Sequence, residues 1–292
     1  MTEIDNVLEY LPSQIKNILL ESDERNIEEI RMRNNRILSM KIGQELKTLN
    51  YMVRQQDILQ TFEKVCENSV YSYRKQICDG YITIKGGHRV GIVGSAVLED
   101  NKVININYIS SLNFRIARQK IGCSDEIIKD IISNNEIYNT LIISPPGCGK
   151  TTLLRDIIRN ISNGTNQFKG KNVGVVDDRG AIAAMYKGIP QNDIGIRTDV
   201  IDNMPKSRGM RLLVRSMSPD VIACDEIGSL EDIEAIDYAM CSGVRGIFTA
   251  HGKDINEINR NPEISKLLNK HIFERLIIIN PRKRGDVQCI QI

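Results

Sequence analysis

The chain has 292 residues, a formal net charge of +2 and 41% apolar residues. That length supplies two domains of ordinary size, each with a core. The near-neutral balance excludes a protein that grips nucleic acid by bulk charge alone, and no run approaches the roughly 20 apolar residues of a membrane helix. No charged-then-apolar leader opens the chain, so no secretory signal is expected. The cysteines (Cys66, Cys78, Cys123, Cys148, Cys224, Cys241 and Cys289) are odd in number and form no C-x-x-C pair, which suits a reduced, cytoplasmic protein without structural zinc.

Residues 1–118 read as an α+β N-terminal domain. Helical periodicity comes first, over Asn6–Leu11 and Pro12–Leu20. Ile30–Arg33 alternates as a strand, and a long helix is expected over Gln56–Ile77. Two β-rich runs flank Gly86-Gly87, a hairpin signal, and Val103–Arg115 reads as further strand. The polar stretch 119–124 is the expected linker. Over 125–292 the pattern alternates between helix and strand. Glu126–Ile132 reads as helix, and Leu141–Ile143, Val173–Val176, Val221–Cys224 and Ile247–Thr249 as short apolar strands. Such strands belong to a parallel sheet covered on both faces. Residues 187–205 are polar and poorly patterned, a long loop of the kind that is usually functional or mobile.

The strongest motif is Thr140-Leu-Ile-Ile-Ser-Pro-Pro-Gly-Cys-Gly-Lys-Thr-Thr152, an apolar strand, a Gly/Pro turn and the start of a helix. That order is the one a nucleoside triphosphate needs. Backbone N–H groups at a helix N-terminus converge on phosphate oxygens, and the helix dipole adds to them. Pro146, Gly147, Cys148, Gly149, Lys150, Thr151 and Thr152 are the expected phosphate-binding residues. Lys150 would reach the β- and γ-phosphates, and the Thr151 hydroxyl would hold Mg²⁺. Ser144 stands where the full pattern has its first Gly. A left-handed backbone there would cost about 1–2 kcal/mol.

Pro219-Asp-Val-Ile-Ala-Cys-Asp225-Glu226 is an apolar strand ending in two carboxylates. Asp225 suits Mg²⁺, a hard cation that keeps most of its water. Glu226 suits the base that deprotonates the attacking water. The strand before Asp177-Asp178 and the strand before His251 also end in polar groups, and ligands of open α/β sheets sit at such carboxyl ends. Asp178 and His251 are therefore further candidates. Arg208, Arg211 and Arg215 share a helix face, either a solvated basic face or one that meets phosphate or a neighbouring subunit. Arg115 and Arg118 flank the domain boundary, and an arginine donated across a subunit interface can stabilise transition-state charge.

These motifs together resemble the stage III sporulation protein AA group of the type II/type IV secretion ATPases. The resemblance rests on Ser144–Thr152, Val173–Arg179, Arg211–Asp220, Ala223–Gly228 and Thr249–Gly252, and on Glu29–Arg33, Gly86–Gly94 and Ile109–Arg118 in the amino-terminal part. It implies an α/β fold, a RecA-like P-loop ATPase domain behind a smaller α+β domain, working as a homohexamer. Asp177 and Asp178 would form its acidic box, His251 its histidine box, and Arg115 and Arg118 its basic positions at a nucleotide cleft. Gly180-Ala181 stands where that box is expected to have Ser-Glu. The implied role is the cytosolic, mother-cell-side motor of a secretion-like complex in endospore formation, with ATP and Mg²⁺ as cofactors and membrane-embedded partners. The residues alone support an Mg-dependent ATPase. A nucleic-acid-stimulated RecA-like ATPase is the alternative, disfavoured by near-neutral charge and scarce aromatics. A small-molecule kinase is weaker still.

Overall fold

A computed structural model of the chain describes residues 3–22, 26–166, 168–280 and 287–292. It comprises two compact units, one of residues 1–118 with 185–191 and one of residues 119–184 with 192–292.

The first unit contains α1 (Glu3–Leu8), α2 (Ser13–Glu21), β1 (Glu29–Arg33), β2 (Arg36–Ile42), β3 (Glu45–Val53), α3 (Gln55–Val65), a 3₁₀ turn at Val70–Tyr73, α4 (Arg74–Cys78), β4 (Tyr81–Thr83), β5 (Arg89–Glu99) and β6 (Lys102–Arg115). Its strands form an antiparallel sheet in the order β3-β2-β1-β6-β5-β4. Alternate residues of β1 (Ile30, Met32), β5 (Val90, Ile92) and β6 (Leu112, Phe114) join Val7, Ile15, Leu19, Ile58 and Phe62 of the helices in one buried cluster. Each such side chain stabilises the fold by about 1.5–3 kcal/mol on burial. The opposite face carries Arg31 and Arg33 of β1, Arg89 of β5 and Arg115 of β6, because side chains alternate along a strand. The helix expected over 56–77 is interrupted. Glu67 and Asn68 adopt left-handed φ angles of 50° and 60°, which no helix continues through.

Residues 185–191 belong to this unit although the chain reaches them late. The Tyr186 hydroxyl donates to Glu67, and Lys187 Nζ pairs with the same carboxylate at 2.6 Å. The Gly86 N–H donates to Gln191 Oε1 at 2.7 Å.

The second unit contains α5 (Ile128–Ile131), the short hairpin β7 (Ile132–Ser133) and β8 (Glu136–Ile137), β9 (Thr140–Ser144), α6 (Lys150–Asn163), a second short hairpin β10 (Gly164–Thr165) and β11 (Phe168–Lys169), β12 (Val173–Asp177), β13 (Thr198–Asp202), α7 (Lys206–Met217), β14 (Val221–Cys224), α8 (Leu230–Cys241), β15 (Arg245–His251), α9 (Ile255–Ile258), α10 (Pro262–Asn269), β16 (Arg275–Ile279) and β17 (Val287–Gln291). The main sheet runs β13-β12-β14-β15-β9-β16-β17 and is parallel up to β16, with β17 antiparallel at the edge. Every residue of β9, β12 and β14 is buried, the mark of strands covered on both faces. Register pairs His251 with Ser144 and Val176 with Cys224, so the carboxyl ends of β9, β12, β14 and β15 finish along one edge.

Three expectations change here. The stretch 119–124 belongs to the second unit. The N–H groups of Gly122 and Ser124 donate to Asp156 of α6 at 3.1 and 2.8 Å, so it is fastened and not a free linker. The helix expected over 126–132 is confined to α5, because Ile132 is already extended in β7. The loop expected over 187–205 contains β13, a polar edge strand beside β12.

Candidate active site

The turn after β9 is shaped by two glycines. Gly147 and Gly149 have φ angles of 76° and 95°, and a Cβ built on either would meet nothing within 4 Å. Backbone conformation alone therefore requires glycine at both positions. Ser144 lies inside β9 with an ordinary φ, so it carries no left-handed cost; it is fully buried and its hydroxyl donates to Pro145 O at 3.0 Å. Gly149 is the N-cap residue directly before α6. Leu153, Leu154, Ile157, Ile158 and Ile161 bury one face of that helix, which fixes its N-terminus at the turn. Cys148 Sγ lies 3.8 Å from Pro146 O, and Thr152 O accepts from Cys123 Sγ at 3.7 Å.

Lys150 is buried. Its Nζ donates to Ser144 O at 3.1 Å and lies 2.9 Å from His251 Nδ1. Burial pushes the Lys150 pKa below its ordinary value, against the pull of Asp225 and Glu226. An ammonium can only donate, so His251 Nδ1 accepts and the ring proton sits on Nε2. Nε2 lies 3.0 Å from Glu226 Oε1. His251 thus bridges Lys150 and Glu226.

Thr151 Oγ1 donates to Asp225 Oδ2 at 2.5 Å, and Thr249 Oγ1 donates to Asp225 Oδ1. A hydroxyl and a buried carboxylate side by side are hard oxygen donors of the kind Mg²⁺ takes. The donor set fits that ion.

Glu226 has φ 55°, a left-handed conformation that a non-glycine residue holds only when its surroundings insist. Its N–H donates to Thr249 Oγ1 at 2.9 Å, and its carbonyl accepts from Lys206 Nζ at 2.6 Å. Its carboxylate takes His251 on one oxygen and Arg179 on the other. Asp178 Oδ2 lies 3.7 Å from Lys206 Nζ, and burial raises the Asp178 pKa despite that cation and Arg179. Asp177 is turned inward. Its carboxylate accepts N–H bonds from Ala181, Ile182 and Ala183 at 2.7–3.1 Å, which makes it a loop anchor.

Lys150, Thr151, Asp178, Asp225, Glu226 and His251 therefore share one strand edge. Arg179 and Lys206 were missed by the sequence reading. Arg179 directly follows Asp178, and Lys206 opens α7 after Pro205; neither position carries a pattern that marks it. Arg211 and Arg215 stack on Tyr238 at 5.2 and 5.8 Å, so both pack α7 against α8.

Arg115 and Arg118 lie in the first unit. Arg118 donates to Ile27 O at 3.2 Å. Arg115 stands directly opposite Glu29 of β1 on one side and Arg89 of β5 on the other. Arg31, Arg33, Arg89 and Arg115 line one cavity of about 450 Å³. Like charges placed opposite each other across strands destabilise the pair unless an anion shares them.

Comparison with known proteins agrees with this architecture. Residues 1–291 match the family described as sporulation stage III, protein AA. The chain is 38% identical to stage III sporulation protein AA of Bacillus subtilis over 292 residues, covering 99% of this chain and 94% of the relative. The fold is similar to that of the Legionella pneumophila ATPase DotB, with TM-score 0.60 and 15% identity over 92% of this chain and 76% of that one. It is also similar to the pilus retraction motor PilT solved with bound ADP, with TM-score 0.58 and 16% identity over 90% of this chain and 76% of that one.

Proposed function

Because the chain belongs to the family of sporulation stage III, protein AA, and has the RecA-like P-loop fold of secretion ATPases, we propose that it hydrolyses ATP as the cytosolic motor of a membrane-associated complex in endospore formation. The observation that carries this reading is the continuous chain of contacts from Lys150 through His251 to Glu226, set beside Thr151 and Asp225.

In this reading the N–H groups of Gly147–Thr151 and the Lys150 ammonium bind the phosphates. Thr151 and Asp225 would hold Mg²⁺, which when bound neutralises charge on the β- and γ-phosphates. A water attacks the γ-phosphorus, the bond to the bridging oxygen breaks and ADP leaves. Glu226 takes the water's proton. Thr249 and Lys206 fix the backbone from which Glu226 reaches, and His251 relates the base to the lysine on the phosphates. Asp178 with Lys206 supports the far side of the site. Arg115 is the arginine offered to phosphate across a subunit boundary of a homohexamer, with Arg118 three positions further on. No helix among the described residues is long and apolar enough to cross a membrane, so the membrane-embedded parts of the complex would be partners.

The test is Glu226→Gln. Fluorescent ATP should still bind, while phosphate release falls roughly a hundred- to ten-thousand-fold. Full turnover by this variant would remove Glu226 as the base.

A further inference from the structure

Glu226 is held in two different ways. Its backbone is gripped by protected groups. Thr249 is fully buried, and the Lys206 side chain is 11% exposed. Its carboxylate is gripped by exposed ones, the Arg179 side chain at 65% and the His251 side chain at 45% exposure. The residue therefore has a fixed root and a head that solvent can free.

Arg179 is aimed at that head by its own loop. Asp177 takes the N–H groups of Ala181, Ile182 and Ala183, and Gly180 turns the chain with a φ of 62°. The backbone on both sides of Arg179 is thereby pinned, with β12 before it and the Asp177 anchor after it. A guanidinium on Glu226 Oε2, together with the imidazole on Oε1, engages both carboxylate oxygens in this arrangement. With a donor on each oxygen, fewer lone pairs of this carboxylate are left for the proton of an attacking water. Exposed ion pairs are weak, worth a few-fold in an equilibrium constant, so this one can be exchanged during a catalytic cycle.

We propose that Arg179 is a positioning residue that holds the Glu226 carboxylate in a resting orientation and releases it for hydrolysis, so that the unstimulated protein turns over slowly. The proposal rests on the reading of Glu226 as the base. It makes Arg179 a brake, distinct from an arginine that binds phosphate.

The experiment uses the full-length chain and the variants Arg179→Gln and Arg179→Lys. Phosphate release gives kcat and KM, and fluorescent ATP gives affinity. Arg179→Gln should raise the unstimulated kcat about two- to fivefold, with KM and affinity unchanged. Arg179→Lys keeps the charge and should restore the slow rate. Arg179→Gln combined with Glu226→Gln should be as inactive as Glu226→Gln alone, since Arg179 acts through that carboxylate. A lower kcat, a raised KM with weaker ATP binding, or no change in Arg179→Gln overturns the brake. An active wild-type chain with a slowed Arg179→Gln variant overturns the brake alone. A wild-type chain that releases no phosphate from ATP overturns the ATPase reading and the brake with it.

Discussion

Lys150 Nζ lies 2.9 Å from His251 Nδ1, although 101 positions separate them in the chain. Parallel pairing of β15 with β9 creates this relationship, because it sets His251 beside Ser144 at the base of the turn. The lysine head is thereby held between Ser144 O and the His251 ring. Lys150→Ala should weaken ATP binding about ten- to a hundredfold, since it removes a charge-assisted contact. His251→Ala should bind ATP nearly normally and lose roughly ten- to a hundredfold in kcat. Titration with fluorescent ATP and phosphate-release kinetics separate the two. Equal loss of binding in both variants would reduce His251 to a support for Lys150.

Asp156 gives a pH dependence of stability. Its buried carboxylate accepts from the N–H and hydroxyl of Ser124, from Arg159 and from the N–H of Gly122. Burial pushes its pKa up, but these donors together outweigh burial and hold it below the usual carboxylate range. A carboxyl with a lowered folded pKa contributes stability above its unfolded pKa of about 4 and loses that contribution as pH falls through the folded value. Asp156→Asn should cost about 1–3 kcal/mol at neutral pH. Thermal melts of the two proteins should converge as pH falls below about 4. A constant difference down to acid pH would show that the charge is not what matters.

Gly209→Ala tests packing. In an exposed helix this exchange would stabilise by about 1 kcal/mol. Here a Cβ would meet Val176 Cγ1 at 2.6 Å and Ile201 Cγ2 at 3.0 Å, because α7 lies directly on β12 and β13. The sign should reverse, with a loss of about 1–3 kcal/mol in denaturant titration. A stabilised variant would mean that α7 is free to move off the sheet.

Assembly is the fourth test. Sedimentation velocity with ATP and Mg²⁺ should show a species of about six chains, as the secretion-ATPase reading requires. Arg115→Ala should keep that species and lower kcat about a thousandfold or more, the worth of an arginine placed on transferring phosphate. A strict monomer at high concentration counts against the ring, and an unchanged rate counts against Arg115.

The parts of the site carried by local pattern were legible in the sequence. Gly147, Gly149, Lys150 and Thr151 announce a phosphate turn by themselves, and the apolar runs before Asp178, Asp225 and His251 mark strand ends. The strands β2 and β3 carry no clear signal, because Ile37, Leu46 and Met52 are exposed and blur the alternation. The edge strand β13 has the pattern of a loop, since Thr198-Asp-Val-Ile-Asp202 buries no residue fully. Arg179 and Lys206 owe their roles to contacts 47 and 20 positions away, which no window along the chain contains. The motif suggests a strained backbone at Ser144, whereas its place at the end of β9 gives it an ordinary one.

The membership of residues 185–191 bears on how the molecule can be dissected. Neither unit is one continuous stretch of chain, so cutting after Arg118 does not liberate a domain. A fragment of residues 119–292 would carry Tyr186 and Lys187 deprived of Glu67, and Gln191 deprived of the Gly86 N–H. Such a truncation would present an orphaned segment only two residues beyond the Ala183 N–H that Asp177 holds. Activity lost in it would therefore report on the severed segment as much as on the missing amino-terminal residues.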